Sequence, residues 1–191
     1  MKQFFILVFA LTTAIGTFAQ TAWKNDKNHS KLTFGITHLA VSEVTGLFKD
    51  FNATITASKP DFSDAVVELT VQTTSVNTEV EKRDNHLRSA DFFEVDKFPI
   101  MTFISTSILK VSDGKYKVTG NLTLHGVTKP VTVDLWHRGT IENPNSKTQV
   151  AGFQITATIK RSDFAFGQKY TNPILGDVVS VKADGEFSPA K

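Results

Sequence analysis

Through most of the chain, hydrophobic and polar residues alternate, and this period of two is typical of β-strands with one buried face. Runs of this kind recur between residues 32 and 187, and short turn sequences such as Asp113-Gly114 and His125-Gly126 separate them. Because short connections join antiparallel neighbours, the pattern predicts an all-β, antiparallel fold. The first run predicts an inward face made of Leu32, Phe34, Ile36 and His38.

Two segments depart from this alternation. After Phe48 the hydrophobic parity shifts by one residue, which predicts a β-bulge near Lys49. Residues 79–88 have a helix-forming composition with apolar positions three to four apart, so they predict one short helix. Asn77 or Thr78 is the expected N-cap of this helix.

About eight strands with one helix beside them fit an extended eight-stranded antiparallel β-barrel, because full closure removes the unpaired edges of an open sheet. A two-sheet sandwich also hides one face of every strand, so the alternation alone leaves that fold open. An eight-stranded barrel is either filled by its own side chains or open enough for one small ligand. The inward set mixes phenylalanines with small residues, which fits a slot for a flexible apolar chain but also fits a tapered, filled interior. The small inward residues are Gly46, Ala53, Ser105, Gly120, Ala157 and Ala183.

The N-terminal segment, residues 1–19, has the features of a secretory signal peptide. A lysine precedes an apolar run, and small residues end the segment. Two threonines interrupt the apolar run, which is too short to cross a membrane. We therefore expect export, cleavage before Gln20, no membrane span, and a single mature domain over residues 20–191.

The composition excludes several classes of function. The chain of 191 residues is 40% hydrophobic and 21% charged, as ordinary globular domains are. Its net charge of +2 provides no broad basic surface for nucleic acid. Without cysteine it has neither disulfides nor zinc–thiolate sites. The five histidines lack the close spacing of metal ligands and no catalytic sequence motif occurs, so we expect no metal, no cofactor and no catalytic residue.

The densest group of polar residues lies in the predicted helix and consists of Arg83, Asp84, His86 and Arg88. These side chains could recognise a ligand head group at the mouth of a barrel, or they could fix the helix to the barrel through charge-assisted hydrogen bonds. Charged residues are common on short surface helices, which favours the second interpretation. Arg161 and Asp163, after a later strand, leave the same two alternatives.

Six extended motifs follow one another along the mature chain, at residues 23–30, 44–51, 83–93, 98–103, 120–129 and 161–164. In their residues and their order they resemble the YceI-like family, and the resemblance covers essentially the whole mature chain. It implies an extended, lipocalin-like barrel of eight strands with a helix beside it, located in the bacterial periplasm. It also implies an apolar tunnel for polyisoprenoid or similar long-chain amphiphiles, and it does not imply an enzyme.

The lining of such a tunnel is expected to come from inward strand positions and from the adjacent aromatics that follow the helix, which either pack into the barrel or cap its mouth. The candidate ligand-binding residues are Phe34, Ile36, His38, Phe48, Phe51, Leu69, Val71, Phe92, Phe93, Phe103, Leu122, Leu124, Val133, Phe153, Ile155 and Phe164. The ligand expected on these residues is a polyisoprenoid or another long-chain amphiphile.

Two other functions stay open at this point. The first is a hydrolase or isomerase acting on such a lipid, with His29, His38 or His86 as general base, and it requires a titratable pair facing the cavity. The second is a module that binds a partner protein, which the polar outward positions of the strands argue against. The sequence also leaves open whether two barrels form a homodimer.

Overall fold

The strands form a single antiparallel sheet whose last strand pairs with its first. The computed structural model describes residues 19–190, so the predicted signal peptide lies outside the described residues except for Ala19. The strand segments are β1 (Thr21–His38), β2 (Ser42–Phe48), β3 (Phe51–Ala57), β4 (Val66–Gln72), β5 (Val76–Asn77), β6 (Ile100–Ser112), β7 (Lys115–Leu124), β8 (Val127–Glu142), β9 (Gln149–Lys160) and β10 (Leu175–Pro189). Within this part of the chain there are also one α-helix, α1 (Glu81–Arg88), and two 3-10 turns, Thr73–Ser75 and Arg161–Phe164.

Pairing between β1 and β10 closes the sheet into a barrel. The two strands run antiparallel, with Trp23 opposite Pro189 near one end and His38 opposite Leu175 at the other. β2 and β3 both pair with β1, and β5 continues the line of β4 beside β2, so the ten segments occupy eight positions around the barrel. The predicted eight-stranded antiparallel barrel is confirmed, and the sandwich is excluded.

Two adjacent strand positions of the barrel, one formed by β2 and β3 and the other by β4 and β5, are interrupted at the same height along the barrel. Between β2 and β3 the chain bends at Lys49 and Asp50, and between β4 and β5 it forms the 3-10 turn Thr73–Ser75. Backbone groups at the two interruptions pair with each other, because the Lys49 N–H donates to the Ser75 carbonyl (3.1 Å) and the Gln72 N–H donates to the Asp50 carbonyl (3.0 Å). The predicted change of parity is confirmed, but a two-residue bend produces it and the predicted β-bulge is wrong.

The predicted helix is present as α1, although it begins later than predicted. Val80 is its N-cap and makes no side-chain capping bond, so the prediction that Asn77 or Thr78 caps the helix is wrong. Asp84 is buried, and its carboxylate accepts hydrogen bonds from the N–H (2.7 Å) and the hydroxyl (2.5 Å) of Thr78. The helix therefore holds Thr78 through Asp84, and the chain turns between them at Glu79, where φ is 63°.

Two of the predicted turn sequences form the two-residue loops of β-hairpins. Asp113-Gly114 joins β6 to β7, and His125-Gly126 joins β7 to β8. Both residues of the second turn have positive φ, 51° and 74°, which is the type I′ geometry that matches the twist of paired strands. A β-carbon at Gly126 would also collide with the Phe98 ring, so both conformation and packing require glycine there.

Aromatic side chains fill the end of the barrel opposite to α1. The ring centroid of Phe62, in the loop between β3 and β4, lies 5.4 Å from that of Trp23, 4.7 Å from that of His137 and 4.9 Å from that of Phe153. Phe62 and Phe153 are each only 2% exposed. These contacts close one end of the interior, and they place the rings of Phe62 and Phe153 against the half-buried imidazole of His137.

The position of His137 predicts that acid destabilises the wild-type protein more than a His137→Leu variant. Burial lowers the pKa of His137 below its ordinary value of 6.5. Between pH 6.5 and that lower pKa, the unfolded chain binds a proton that the folded protein excludes. The free energy of unfolding therefore decreases as the pH is lowered. Urea unfolding of both proteins at about pH 7.5 and about pH 5 measures the difference. Equal losses of stability in the two proteins would contradict this prediction.

Candidate functional site

The barrel encloses an elongated cavity of about 380 Å³. This volume lies within the range of roughly 300–1,000 Å³ that is usual for small-molecule sites. The cavity extends from Phe153 and Phe187 at the aromatic end to α1 and the segment 165–174 at the opposite end, which we call the mouth. Inward strand residues form most of its wall, so the alternation that builds the barrel also makes the cavity apolar.

The candidate ligand-binding residues fall on this wall with two exceptions. Those that line the cavity are Phe34, Ile36, His38, Phe48, Phe51, Leu69, Phe92, Phe93, Phe103, Leu122, Leu124, Val133, Phe153 and Ile155. Val71 and Phe164 do not line it, since they are 0% and 1% exposed and pack in the hydrophobic core behind the wall. Contact between a ligand and any of these residues stays a prediction.

Phe92 and Phe93, which follow α1, pack into the barrel at the mouth. The Phe93 ring lies 5.6 Å from Phe48 and 4.6 Å from Phe166 between centroids, while Phe92 stacks on Tyr170 at 5.2 Å. Both phenylalanines are buried. They therefore connect the helix side of the mouth to the segment 165–174 on its other side.

Sequence reasoning missed further lining residues of two kinds. The first kind lies on inward strand positions that the alternation does identify, and comprises Leu32, Val44, Ile55, Val67, Met101, Ile159, Val179, Val181 and Phe187. The second kind comprises Phe166, Tyr170 and Ile174, which follow the 3-10 turn Arg161–Phe164. No regular period marks these three residues, because the segment that carries them is neither strand nor helix.

The small inward residues contribute unequally to the open volume. A β-carbon at Gly46 would lie 2.5 Å from the Phe34 ring, and one at Gly120 would lie 2.5 Å from the Phe103 ring. These glycines accommodate aromatic rings and leave no empty space. The Ser105 hydroxyl accepts a hydrogen bond from the Val67 N–H (2.8 Å). The small residues that do line the cavity are the alanines Ala53, Ala157 and Ala183.

Arg161 organises the segment that forms one side of the mouth. Its side chain is buried, and its guanidinium donates five hydrogen bonds to backbone carbonyls. The acceptors are the carbonyls of Gly176 (2.8 Å), Phe166 (3.0 Å), Gly167 (2.7 Å), Leu175 (3.2 Å) and Tyr170. All five N–H groups are used, which satisfies a buried cation without a carboxylate. Of the two roles considered for Arg161, recognition of a head group and attachment through hydrogen bonds, these contacts match the second. Asp163 is exposed.

Asp84 and Arg88 fix α1 to the segment that precedes it. In addition to the bonds between Asp84 and Thr78, Arg88 donates from Nε to the Thr74 carbonyl (2.8 Å) and from Nη2 to the Val76 carbonyl (2.9 Å). These bonds agree with the attachment that the sequence favoured. Arg83 and His86 of the same helix differ from them, because both line the cavity.

A network of polar side chains connects the two sides of the mouth. Nε2 of His86 lies 3.1 Å from Asp91 Oδ2 and 3.0 Å from the Tyr170 hydroxyl, which donates to the same carboxylate oxygen at 3.2 Å. Lys169 forms an ion pair with Asp91. Hydrogen bonds from Lys169 and His86 lower the pKa of Asp91 to about 2, and burial raises the pKa of Tyr170. Asp91 is therefore ionised at neutral pH, with its charge engaged by these neighbours.

The three histidines considered as general bases have different surroundings. His29 pairs with Asp26 at 3.1 Å, but it is exposed and does not line the cavity. His38 lines the cavity, and His86 both lines it and lies beside Asp91.

Within residues 19–190, no three His, Asp or Glu side chains are grouped so that they could hold a metal ion. None of the helical segments there has the length and apolar character that a membrane span needs.

Comparison with known proteins identifies the family to which this sequence is similar. A profile of the YceI-like domain matches residues 23–187. Protein YceI of Salmonella newport is 42% identical over 164 residues, which cover 83% of this chain and 85% of that protein. UPF0312 protein SAS2572 of Staphylococcus aureus is 38% identical over 167 residues, which cover 85% of this chain and 95% of that protein.

Solved structures also resemble the barrel. The YCEI protein of Campylobacter jejuni superposes with a TM-score of 0.74 at 35% identity, covering 82% of this chain and 91% of that one. A polyisoprenoid binding domain from Saccharophagus degradans superposes with a TM-score of 0.67 at 17% identity, covering 90% of this chain and 100% of that one. The second similarity is one of fold alone.

Proposed function

Because the chain belongs to the YceI-like domain family, we propose that it binds a polyisoprenoid or another long-chain amphiphile in its cavity and carries or stores that lipid outside the cytoplasm. The observation that carries the proposal is the apolar strand wall of a cavity with a small-molecule volume. The description of the Saccharophagus degradans neighbour as a polyisoprenoid binding domain agrees with this class of ligand.

The size of the hydrophobic effect explains why a long chain suits this site. Burial of one five-carbon isoprene unit gains roughly 4 kcal/mol at about 0.8 kcal/mol per CH₂ group. Association costs an estimated 4–15 kcal/mol in lost freedom of motion, so one unit binds hardly at all. Several units exceed this cost without any charged contact, and the affinity should depend strongly on chain length.

We expect the affinity to rise along the series geraniol, farnesol and geranylgeraniol by at least about tenfold per added isoprene unit, until the cavity is full. Displacement of an apolar fluorescent probe from the purified protein measures the three dissociation constants. Native mass spectrometry of the protein taken from its own cells supplies an independent check, since it reports the mass of a resident lipid. Equal affinities for the three alcohols would contradict the proposal.

Export is the second part of the proposal, and it is supported by the signal-like sequence of residues 1–19. Removal of this segment would release a protein that starts at Gln20 and contains the whole barrel. N-terminal sequencing of the exported protein tests the cleavage, and a protein retaining residues 1–19 would contradict it.

A lipid-modifying enzyme is the alternative that one observation favours. His86 and Asp91 form a titratable pair at the mouth, and a pair of this kind is what general base catalysis requires. Incubation of geranylgeranyl phosphate with the wild type and with His86→Ala distinguishes the two functions. The carrier returns the lipid unchanged in both cases, whereas turnover lost in His86→Ala would establish the enzyme.

A further inference from the structure

Two arginine side chains contribute to the cavity wall at the mouth, and their hydrogen-bonding capacity is used differently. A guanidinium has five N–H donors, and Arg161 gives all five to backbone carbonyls. Arg83 uses two, because its Nε donates to the Thr78 hydroxyl oxygen (2.7 Å) and its Nη2 donates to the Thr78 carbonyl (2.9 Å). Three donors of Arg83 therefore find no acceptor among residues 19–190.

No carboxylate of the described residues forms an ion pair with Arg83. Within residues 19–190, every Asp and Glu oxygen lies more than 4.0 Å from the guanidinium. The neighbouring Asp84 is turned towards Thr78, and Asp91 is engaged by Lys169. The mouth thus presents a cation with unused donors.

The other charged residues along the wall offer no comparable group. Asp184 accepts hydrogen bonds from Arg138 (2.9 Å) and from Gln154 (2.8 Å). Lys31 is exposed and lies opposite Asp184, well before His38 at the mouth end of β1, so its ammonium is not part of the mouth. Among the cationic side chains of the described wall, Arg83 is the one with both a free charge and free donors at the mouth.

We propose that Arg83 binds the anionic head group, a phosphate or a carboxylate, of a ligand whose apolar chain occupies the cavity. This inference rests on the proposed function, because the chain must enter the barrel for its head to reach α1. The two bonds to Thr78 hold the guanidinium in place before a ligand arrives, and its planar fork matches two oxygens of such a head group. A head group bound at the mouth keeps its charge out of the apolar interior.

The test compares two ligands with the same chain, geranylgeraniol and geranylgeranyl phosphate. The wild type is expected to bind the phosphate at least about tenfold more tightly than the alcohol. Arg83→Met is expected to lose this preference, so that it binds the two ligands with similar affinity. Lys82→Met removes the same charge from an exposed position on α1 that does not line the cavity, and it should keep the preference. Added salt should weaken phosphate binding to the wild type and not to Arg83→Met, and a purely structural role of Arg83 would not produce that difference.

The outcomes separate this inference from the carrier proposal. A wild type without preference for the phosphate, or an Arg83→Met variant that keeps it, overturns the head-group assignment and leaves the carrier intact. If the wild type binds neither ligand, the carrier proposal itself fails. Circular dichroism and thermal unfolding show whether Arg83→Met is folded. If it is not, Arg83→Gln, which keeps a donor for Thr78 and has no charge, is measured with the same expectation.

Discussion

Replacing Arg161 by methionine is expected to destabilise the fold by more than about 3 kcal/mol and to abolish lipid binding. The substitution removes all five donors from carbonyls of the segment 166–176, and each unsatisfied buried polar group costs about 1–3 kcal/mol. That segment carries Phe166, Tyr170 and Ile174 of the cavity wall. The mouth therefore loses one of its sides together with the stability. Urea unfolding and probe displacement measure the two effects.

Arg138→Met is the matched control for this experiment. Arg138 is also an arginine on the barrel, but its side chain is 42% exposed and pairs with Asp184 at the surface. Exposed ion pairs contribute about 0–1 kcal/mol, so this variant should unfold close to the wild type. Similar destabilisation by the two substitutions would show that the hydrogen bonds of Arg161 contribute no more to the free energy of unfolding than the exposed ion pair of Arg138.

Filling the cavity with a Phe side chain at Ala157 is expected to weaken binding of geranylgeraniol by at least about tenfold. Ala157 lies on the cavity wall beside Val181 of the neighbouring strand, so a larger side chain there occupies the volume that the ligand needs. The folded state should tolerate the change, because the added ring enters existing empty space and does not displace packed atoms. Probe displacement measures the affinity, and thermal unfolding measures the stability.

Thr156→Phe adds a Phe side chain one position away on the same strand. Thr156 is exposed on the outer face, so this variant should bind the lipid as the wild type does. Unchanged affinity in Ala157→Phe would show that the ligand does not occupy the barrel. A comparable loss of affinity in both variants would show that the substitutions act on the strand and not on the cavity.

The strand part of the fold and of the site could be predicted from sequence because a period of two determines which side chain faces inward. Phe34, Ile36 and Leu69 lie on the cavity wall for this reason. The same rule placed Val71 inward as well, but facing inward does not decide whether a side chain meets the open space or the packed core. That distinction depends on how neighbouring side chains fill the interior.

The irregular parts of the site could not be predicted, because their partners are backbone groups. Arg161 is buried by five carbonyls of a segment without regular structure, and no residue type or spacing marks such acceptors. Phe164 was assigned to the cavity, but the 3-10 turn Arg161–Phe164 directs it into the core. The N-cap prediction failed at Thr78 because the chain turns at Glu79 and the helix has its N-cap at Val80, while the Thr78 hydroxyl accepts a hydrogen bond from Arg83.

The attachment of α1 has a consequence for the order in which the molecule assembles. Thr78, Thr74 and Val76, which anchor the helix, precede it by only a few residues, so these bonds close short loops at little entropic cost. Pairing of β1 with β10 joins residues near the two ends of the described range, 19–190, and closes a loop that contains almost all of it. Segment 73–88 is therefore a local unit that can form early, whereas β1 and β10 can pair only after β10 has been synthesised.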